Sequence, residues 1–441
     1  MAFEGYKNTG FTRGMPAGRS GARRVTRRWY LDPTAIAVAL VINGYAMSGI
    51  VATYLGLPDA DQRLSYIVRI LTFLVSGLAF ATSFRGRVLS KLNGILFAFW
   101  LVYLARLLWD VADPFIEGTE IALVFFLGAC TVPAALIASS HRDWDEQNVA
   151  RALVLSGLLV CIGGLLLRDI ALQSQMQDSG RLSFSKLNPI SLGHVGCTTV
   201  LASISIMARR RGAWWWIALV ATSIAMILMT YAASRGALVA LAICLFAYVV
   251  ARRAWGYVAA GAIVIYILVA SYGVMNPDKL LEFTGLSQLG SDTSSMERIE
   301  LMSMAMDQIR GNWQFGSSYT LPMQQGYPHN IILEAFMATG IIGVSIFLYS
   351  VLRGAFLTMK CLAGAKPLAA LMFIQYFWGA QFSGALWASA GFWLALTVVL
   401  AKGFAPSKAT RATQAERVPK TPPSRAPPQI LAPGPLDGRA A

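Results

Sequence analysis

The sequence predicts an all-α, polytopic membrane protein of about twelve spanning helices, and three observations predict it. Charged residues make up 13% of the 441 residues, against about 25% in a soluble domain. Hydrophobic residues make up 56%, and the mean hydropathy is +0.55. The apolar residues gather in runs of roughly 20, the length at which a helix crosses the hydrocarbon core. They lack the two-residue alternation of a membrane barrel. This composition excludes a soluble globular enzyme, a disordered chain and a disulfide-stapled secreted module.

The elements follow in order. Residues 1–30 form a basic segment without an apolar h-region, so no cleavable leader is expected. The transmembrane domain covers 31–403. Its spans are expected at 31–55, 65–83, 92–109, 121–139, 150–167, 189–208, 213–229, 237–250, 255–271, 330–352, 367–383 and 386–400. The eighth is short and can begin near Thr230. Residues 404–441 are rich in Pro, Ala and Arg and read as a disordered tail. No internal repeat is visible.

Lys and Arg set the orientation. With a cytoplasmic N-terminus, 27 of them fall in the N-terminal segment, the inside loops and the tail, and 8 fall in outside loops. Arg69 and Arg106 fall within spans. This bias places both termini in the cytoplasm. The net charge of +15 then reflects topology, with the basic N-terminal segment suited to anionic lipid. Nucleic acid is not an expected partner. Cys130, Cys161, Cys197 and Cys244 fall in spans and Cys361 in a cytoplasmic loop. No CxxC pair occurs, so neither disulfides nor zinc are expected.

One outside loop, 272–328, is long. Ser294 and Glu297 form an S-x-x-E capping box. Ile299, Met302, Met306 and Ile309 follow at helical spacing. They predict an amphipathic helix with that face on the outer membrane surface.

His329 follows Pro328 at the start of the tenth span. A helix N-terminus disfavours a cation, so the imidazole stays neutral and suits a general base; position alone also allows a local hydrogen-bonding role. Glu334 lies one turn further, where a carboxylate either meets substrate or is a buried partner for Arg69 or Arg106. Arg235, Arg298, Arg181, Arg69 and Arg106 gather toward the outer face. Each alone can snorkel, whereas together they suit a phosphorylated ligand. His194 lies in the sixth span, where a helix–helix hydrogen bond is the ordinary role. His141 lies in a cytoplasmic loop. Asp59 with Asp61, and Asp143 with Asp145, are D-x-D pairs able to hold a divalent ion. No P-loop or G-x-G-x-x-G is present, which argues against an ATP-driven pump.

The stretch from His329-Asn330 through a nine-residue spacer to Gly340-Ile341-Ile342-Gly343 resembles the His-Asn…G-x-x-G pattern of the O-antigen ligase and O-antigen polymerase superfamily. Arg298 to Phe315-Gly316 is similar to that family's loop helix and glycine turn. Ser234-Arg235-Gly236-Ala237 resembles its T/S-R-G-A element, and Arg181 to Asn188-Pro189-Ile190 its R…N-P segment. The resemblance covers 181–352.

It implies a GT-C-like, inverting, metal-independent glycosyltransferase of the bacterial inner membrane, without a cofactor. Its donor is a glycan on undecaprenyl pyrophosphate at the periplasmic face. The resemblance makes His329 the residue that activates the acceptor hydroxyl, and Arg235 and Arg298 the pyrophosphate ligands. Arg181, Asn330, Glu334, Arg69 and Arg106 become candidate substrate contacts. Gly340 and Gly343 are expected to allow close helix packing. A polymerase extends the glycan on the next lipid-linked unit, and the reading leans to it. A ligase transfers it to lipid A-core. A chain-length regulator and a flippase are implied partners. Two other readings stay open: a lipid-linked glycan transporter, and a metal-dependent transferase using Asp59 and Asp61.

Overall fold

The computed structural model describes residues 29–56, 60–83, 94–113, 116, 118–140, 144–169, 182, 184, 187–208, 212–253, 293–321, 326–364 and 367–403. The helices are α1 (Pro33–Tyr54), α2 (Ala60–Ser83), α3 (Gly94–Val111), α4 (Thr119–Ser139), α5 (Glu146–Leu166), α6 (Pro189–Met207), α7 (Ala213–Ala232), α8 (Arg235–Arg252), α9 (Thr293–Gly311), α10 (Ile331–Ala363), α11 (Leu368–Ser383) and α12 (Ala390–Gly403). Phe126–Thr131 forms a π-helical segment within α4.

Among the described residues nine helices, α1 to α8 and α10, are long and apolar enough to cross a membrane. The expected ninth span, 255–271, lies outside the described residues. Helices of 16 and 14 residues, α11 and α12, occupy the places of the last two. The chain is therefore a multi-pass helical protein with nine candidate spanning helices among the described residues, where about twelve were expected.

Capping side chains define the helix starts. Asp32, Asp145, Asn188 and Asn330 each accept from backbone N–H groups of the first turn, and Pro33 and Pro189 stand at first helical positions. Asp145 of the inner D-x-D pair is thus used as the cap of α5. Helix α10 runs 33 residues, well beyond the expected 352. Its basic turns find aromatic neighbours: Arg353 Nη1 donates to Tyr349 Oη at 3.4 Å, and Lys360 Nζ lies 4.2 Å from the Phe356 ring centre. Long basic side chains can stay packed this way while their charges reach water.

The core is aromatic. Phe99, Tyr103, Phe126, Phe347, Phe392 and Trp393 bring α3, α4, α10 and α12 together, with neighbouring ring centroids 4.9–6.2 Å apart.

Helix α10 is broken at Gly340, which has φ +62°. The segment after α9 fills the break. Ile341 N donates to Trp313 O, and Ser317 N to Met337 O, both at 2.9 Å. A Cβ at Gly340 would collide with the Gln314 carbonyl, and one at Gly316 (φ +74°) would lie 2.6 Å from the Ala338 carbonyl. The expected helix-packing role of Gly340 is thereby corrected: the glycine admits a backbone loop, not a second helix. Broken helices persist at membrane depth when the freed backbone groups find partners in this way.

Helix α9 forms as expected, but with a different buried face. Leu301, Ala305 and Ile309 pack with Leu321 and Met337 against α10, while Ile299 is 63% and Met306 40% exposed. Of the four residues expected on the apolar face, Ile309 alone belongs to the packed set.

Replacing Gly340 by Ala forces a left-handed backbone on a β-carbon and pushes the loop from the break. The expected outcome is a loss of at least about 1–3 kcal/mol, read as a lower melting midpoint in detergent. An unchanged midpoint would contradict the arrangement.

Candidate active site

The starts of α6, α8 and α10 and the end of α11 meet at one end of the bundle. His329 lies just before the cap of α10, with φ +52°. A non-glycine residue held there carries backbone strain, which proteins concentrate at functional sites. Its ring packs at a tilt against Tyr327, with centroids 4.4 Å apart and an interplanar angle of 55°. The Ser383 backbone accepts a hydrogen bond from the ring, and Nδ1 is buried without a partner among the described residues. Burial first, and then the positive charge of Arg298, holds the imidazole below its usual pKa of 6.5. It is therefore a neutral base with one open nitrogen.

Arg298 projects from α9, close enough to influence both His329 and Tyr327, and makes no ion pair among the described residues. Arg235 is exposed at the first position of α8. The next residue, Gly236, faces Phe382 of α11 at 3.6 Å from its would-be Cβ, one residue before Ser383. Arg235 thus begins the helix that meets the end of α11, and Arg298 lies within electrostatic reach of His329. Arg181, His141, Asp59 and Asp143 lie outside the described residues.

Three candidates have internal partners. Asn330 spends its side-chain oxygen on the N–H groups of Ile332 and Leu333, at 3.0 and 3.1 Å. Glu334 is 0% exposed and meets neither Arg69 nor Arg106. Its Oε1 accepts from Tyr103 Oη and its Oε2 from Leu386 N, both at 2.7 Å. The carboxylate ties α3 and the α11–α12 connection beneath His329. Arg106 pairs with Asp110 one turn away, at 2.6 Å. The other oxygen of Asp110 accepts from Tyr319 N at 3.1 Å and Ser318 Oγ at 3.2 Å. Arg106 therefore holds the loop that follows α9. Tyr327, Ser383 and Asp110 were not anticipated as contributors. Tyr327, two residues before the motif histidine, and Asp110, at i,i+4 from Arg106, carry the readable signals.

A cavity of about 400 Å³ adjoins this end. Tyr327, Ser383, Asn188, Arg69, His194 and Tyr376 are among its lining residues. Arg69 lies over the Phe125 ring, its guanidinium carbon 3.3 Å from the centroid.

No curated protein matches the chain. The family model described as O-Antigen ligase matches residues 217–348, a range that holds Arg235, Arg298, His329 and Gly340 and leaves Arg69, Arg106 and Arg181 outside. Over residues 217–348 the chain is thus similar to the family described as O-Antigen ligase, and the matched stretch holds the motif residues around His329.

Proposed function

We propose that the protein is an inverting, metal-independent glycosyltransferase acting at the periplasmic face of a bacterial inner membrane, with both termini in the cytoplasm. It transfers a glycan from undecaprenyl pyrophosphate to a sugar hydroxyl. Polymerisation onto the next lipid-linked unit is the leading reading. Ligation to lipid A-core is the second, favoured by the similarity of residues 217–348 to the O-Antigen ligase family. A chain-length regulator and a flippase are the proposed accessory partners.

The observation that carries the reading is His329: a neutral imidazole with an unpartnered Nδ1, held at φ +52° within electrostatic reach of Arg298. In the proposed step, Nδ1 takes the proton of the acceptor hydroxyl. The hydroxyl oxygen attacks the anomeric carbon from the face opposite the pyrophosphate. The bond from that carbon to the pyrophosphate oxygen breaks, and its electron pair leaves with undecaprenyl pyrophosphate. Arg235 and Arg298 meet the charge that develops on the leaving group. Arg181 is a further proposed glycan or phosphate contact. Asn330, Glu334 and Arg106 support this machinery through their internal bonds.

The deciding assay uses liposomes holding the protein and one lipid-pyrophosphate-linked repeat unit. A His329-dependent ladder on a gel means polymerase. Product that appears only after lipid A-core is added means ligase. No product in either assay would overturn the glycosyltransferase reading.

Three outcomes follow from the geometry. His329→Gly removes the base and relieves the left-handed strain, so transfer falls by roughly 10²–10⁴-fold while the melting midpoint does not drop. Loss of the fold together with activity would contradict this. Because the folded pKa of His329 is depressed, kcat/KM stays flat through neutral pH, and its acid limb lies below 6.5. An acid limb above that value would exclude His329 as the base. Arg235→Lys keeps the charge and loses the planar fork, lowering kcat/KM by about tenfold or more, as one lost charge-assisted contact would; wild-type turnover would rule out a bidentate contact.

A further inference from the structure

The cavity next to His329 holds polar groups that the transfer step leaves unused. Arg69 stands nine residues into α2, about 13 Å along the helix. Among the described residues lining the cavity it is the one charged side chain, and it pairs with no carboxylate. A cation in a spanning helix normally faces a partner or a polar path. Ser65 lies one turn before it on the same face of α2. Ser65 also lines the cavity, is 6% exposed, and its Oγ has no hydrogen-bond partner. Across the cavity, His194 Nδ1 is likewise buried without a partner. The His194 ring is held against the backbone at Gly379, where a Cβ would lie 2.6 Å from Nε2. Among the described residues, Ser65 Oγ and His194 Nδ1 thus lack a protein partner, and Arg69 meets the rings of Phe125 and Tyr66 but no carboxylate.

We propose that this cavity is a subsite for the acceptor and that it takes an acidic sugar, a uronate, whose carboxylate pairs with Arg69 and accepts from Ser65 Oγ while His194 meets a ring hydroxyl. As an acceptor subsite it rests on the glycosyltransferase reading. Charge decides between ligands. Among the described lining residues one guanidinium stands without a second cation, a charge that balances a single carboxylate. A pyrophosphate carries more charge, and a phosphate monoester carries about −1.5 to −2. Arg235 and Arg298, assigned to the pyrophosphate, do not line the cavity. Guanidinium and carboxylate also match in bidentate geometry. The volume, about 400 Å³, falls within the range of small-ligand pockets.

The test uses the full-length protein in lipid nanodiscs without any lipid-linked donor. Methyl β-D-glucuronide, methyl β-D-glucoside, glucose 1-phosphate and inorganic pyrophosphate are titrated by saturation-transfer NMR. The glucuronide is expected to bind at least tenfold more tightly than the glucoside, with Arg69→Gln erasing the difference and Arg69→Lys or Ser65→Ala retaining part of it. Equal binding of glucuronide and glucoside by the wild type overturns the proposal, and that comparison needs no variant to fold. So does a preference that survives Arg69→Gln. Stronger binding of glucose 1-phosphate or pyrophosphate through Arg69 overturns it too, by making the cavity a phosphate site. Failure of the two readings is distinguishable. No glycosyl transfer in liposomes with glucuronide binding intact removes the glycosyltransferase reading and leaves an acidic-sugar site. Efficient transfer by Arg69→Gln onto the same acceptor as wild type removes the site and leaves the transferase.

Discussion

About a third of the way along α10, at Gly340, the helix gives up its own hydrogen bonding and takes the backbone of the loop after α9 instead. The contacts Ile341–Trp313 and Ser317–Met337 turn an extramembrane helix and a spanning helix into one unit. Arg298 rides on α9 and His329 begins α10, so their proximity depends on this backbone junction rather than on side chains meeting across a flexible loop. The Arg106–Asp110 pair fastens the same loop from α3. A catalytic constellation needs such secondary support to hold its geometry.

A second constraint lies beneath the histidine. Glu334 is buried with both oxygens occupied, by Tyr103 and by the Leu386 backbone. Leu386 O in turn accepts from Trp393 Nε1 at 2.7 Å. The first turn of α10, the α11–α12 connection and the aromatic core therefore share one hydrogen-bonded chain. A buried polar group is tolerable when its partners are all made, and then it specifies a single arrangement. The cations of this end differ in kind. Arg106 is spent within the fold, whereas Arg69 and Arg298 meet no carboxylate among the described residues.

Much of this was legible in one sequence. Apolar runs of spanning length located α1 to α8 and α10 to within a few residues at most ends, because burial in lipid leaves few alternatives to a helix. The basic end of α10 was misjudged, since Arg353 and Lys360 look like a loop by charge while their charged ends meet aromatic neighbours on the same helix. Helix α9 was recognised but turned: Leu301, Ala305 and Ile309 share a helical spacing as good as that of Ile299, Met302, Met306 and Ile309, and composition does not say which apolar side meets protein. The His329 motif was readable, and the function of its glycine was not, because a positive φ leaves no mark on hydropathy. The Arg106–Asp110 pair is written locally at i,i+4. The Tyr103–Glu334 bond joins residues 231 positions apart, a pairing that a single chain does not announce.

The spacer between His329-Asn330 and Gly340 acquires a meaning from the break. Residues 331–339 are helical, so the cap and the break are separated by about 15 Å at 1.5 Å per residue. One residue more or fewer would also turn the break by about 100° around the axis, away from the Trp313–Ser317 backbone that fills it. The motif is thus a ruler as well as a set of side chains. It sets how deep the loop anchors and which way that anchor points, and a chain could vary most letters between the ends while keeping the count.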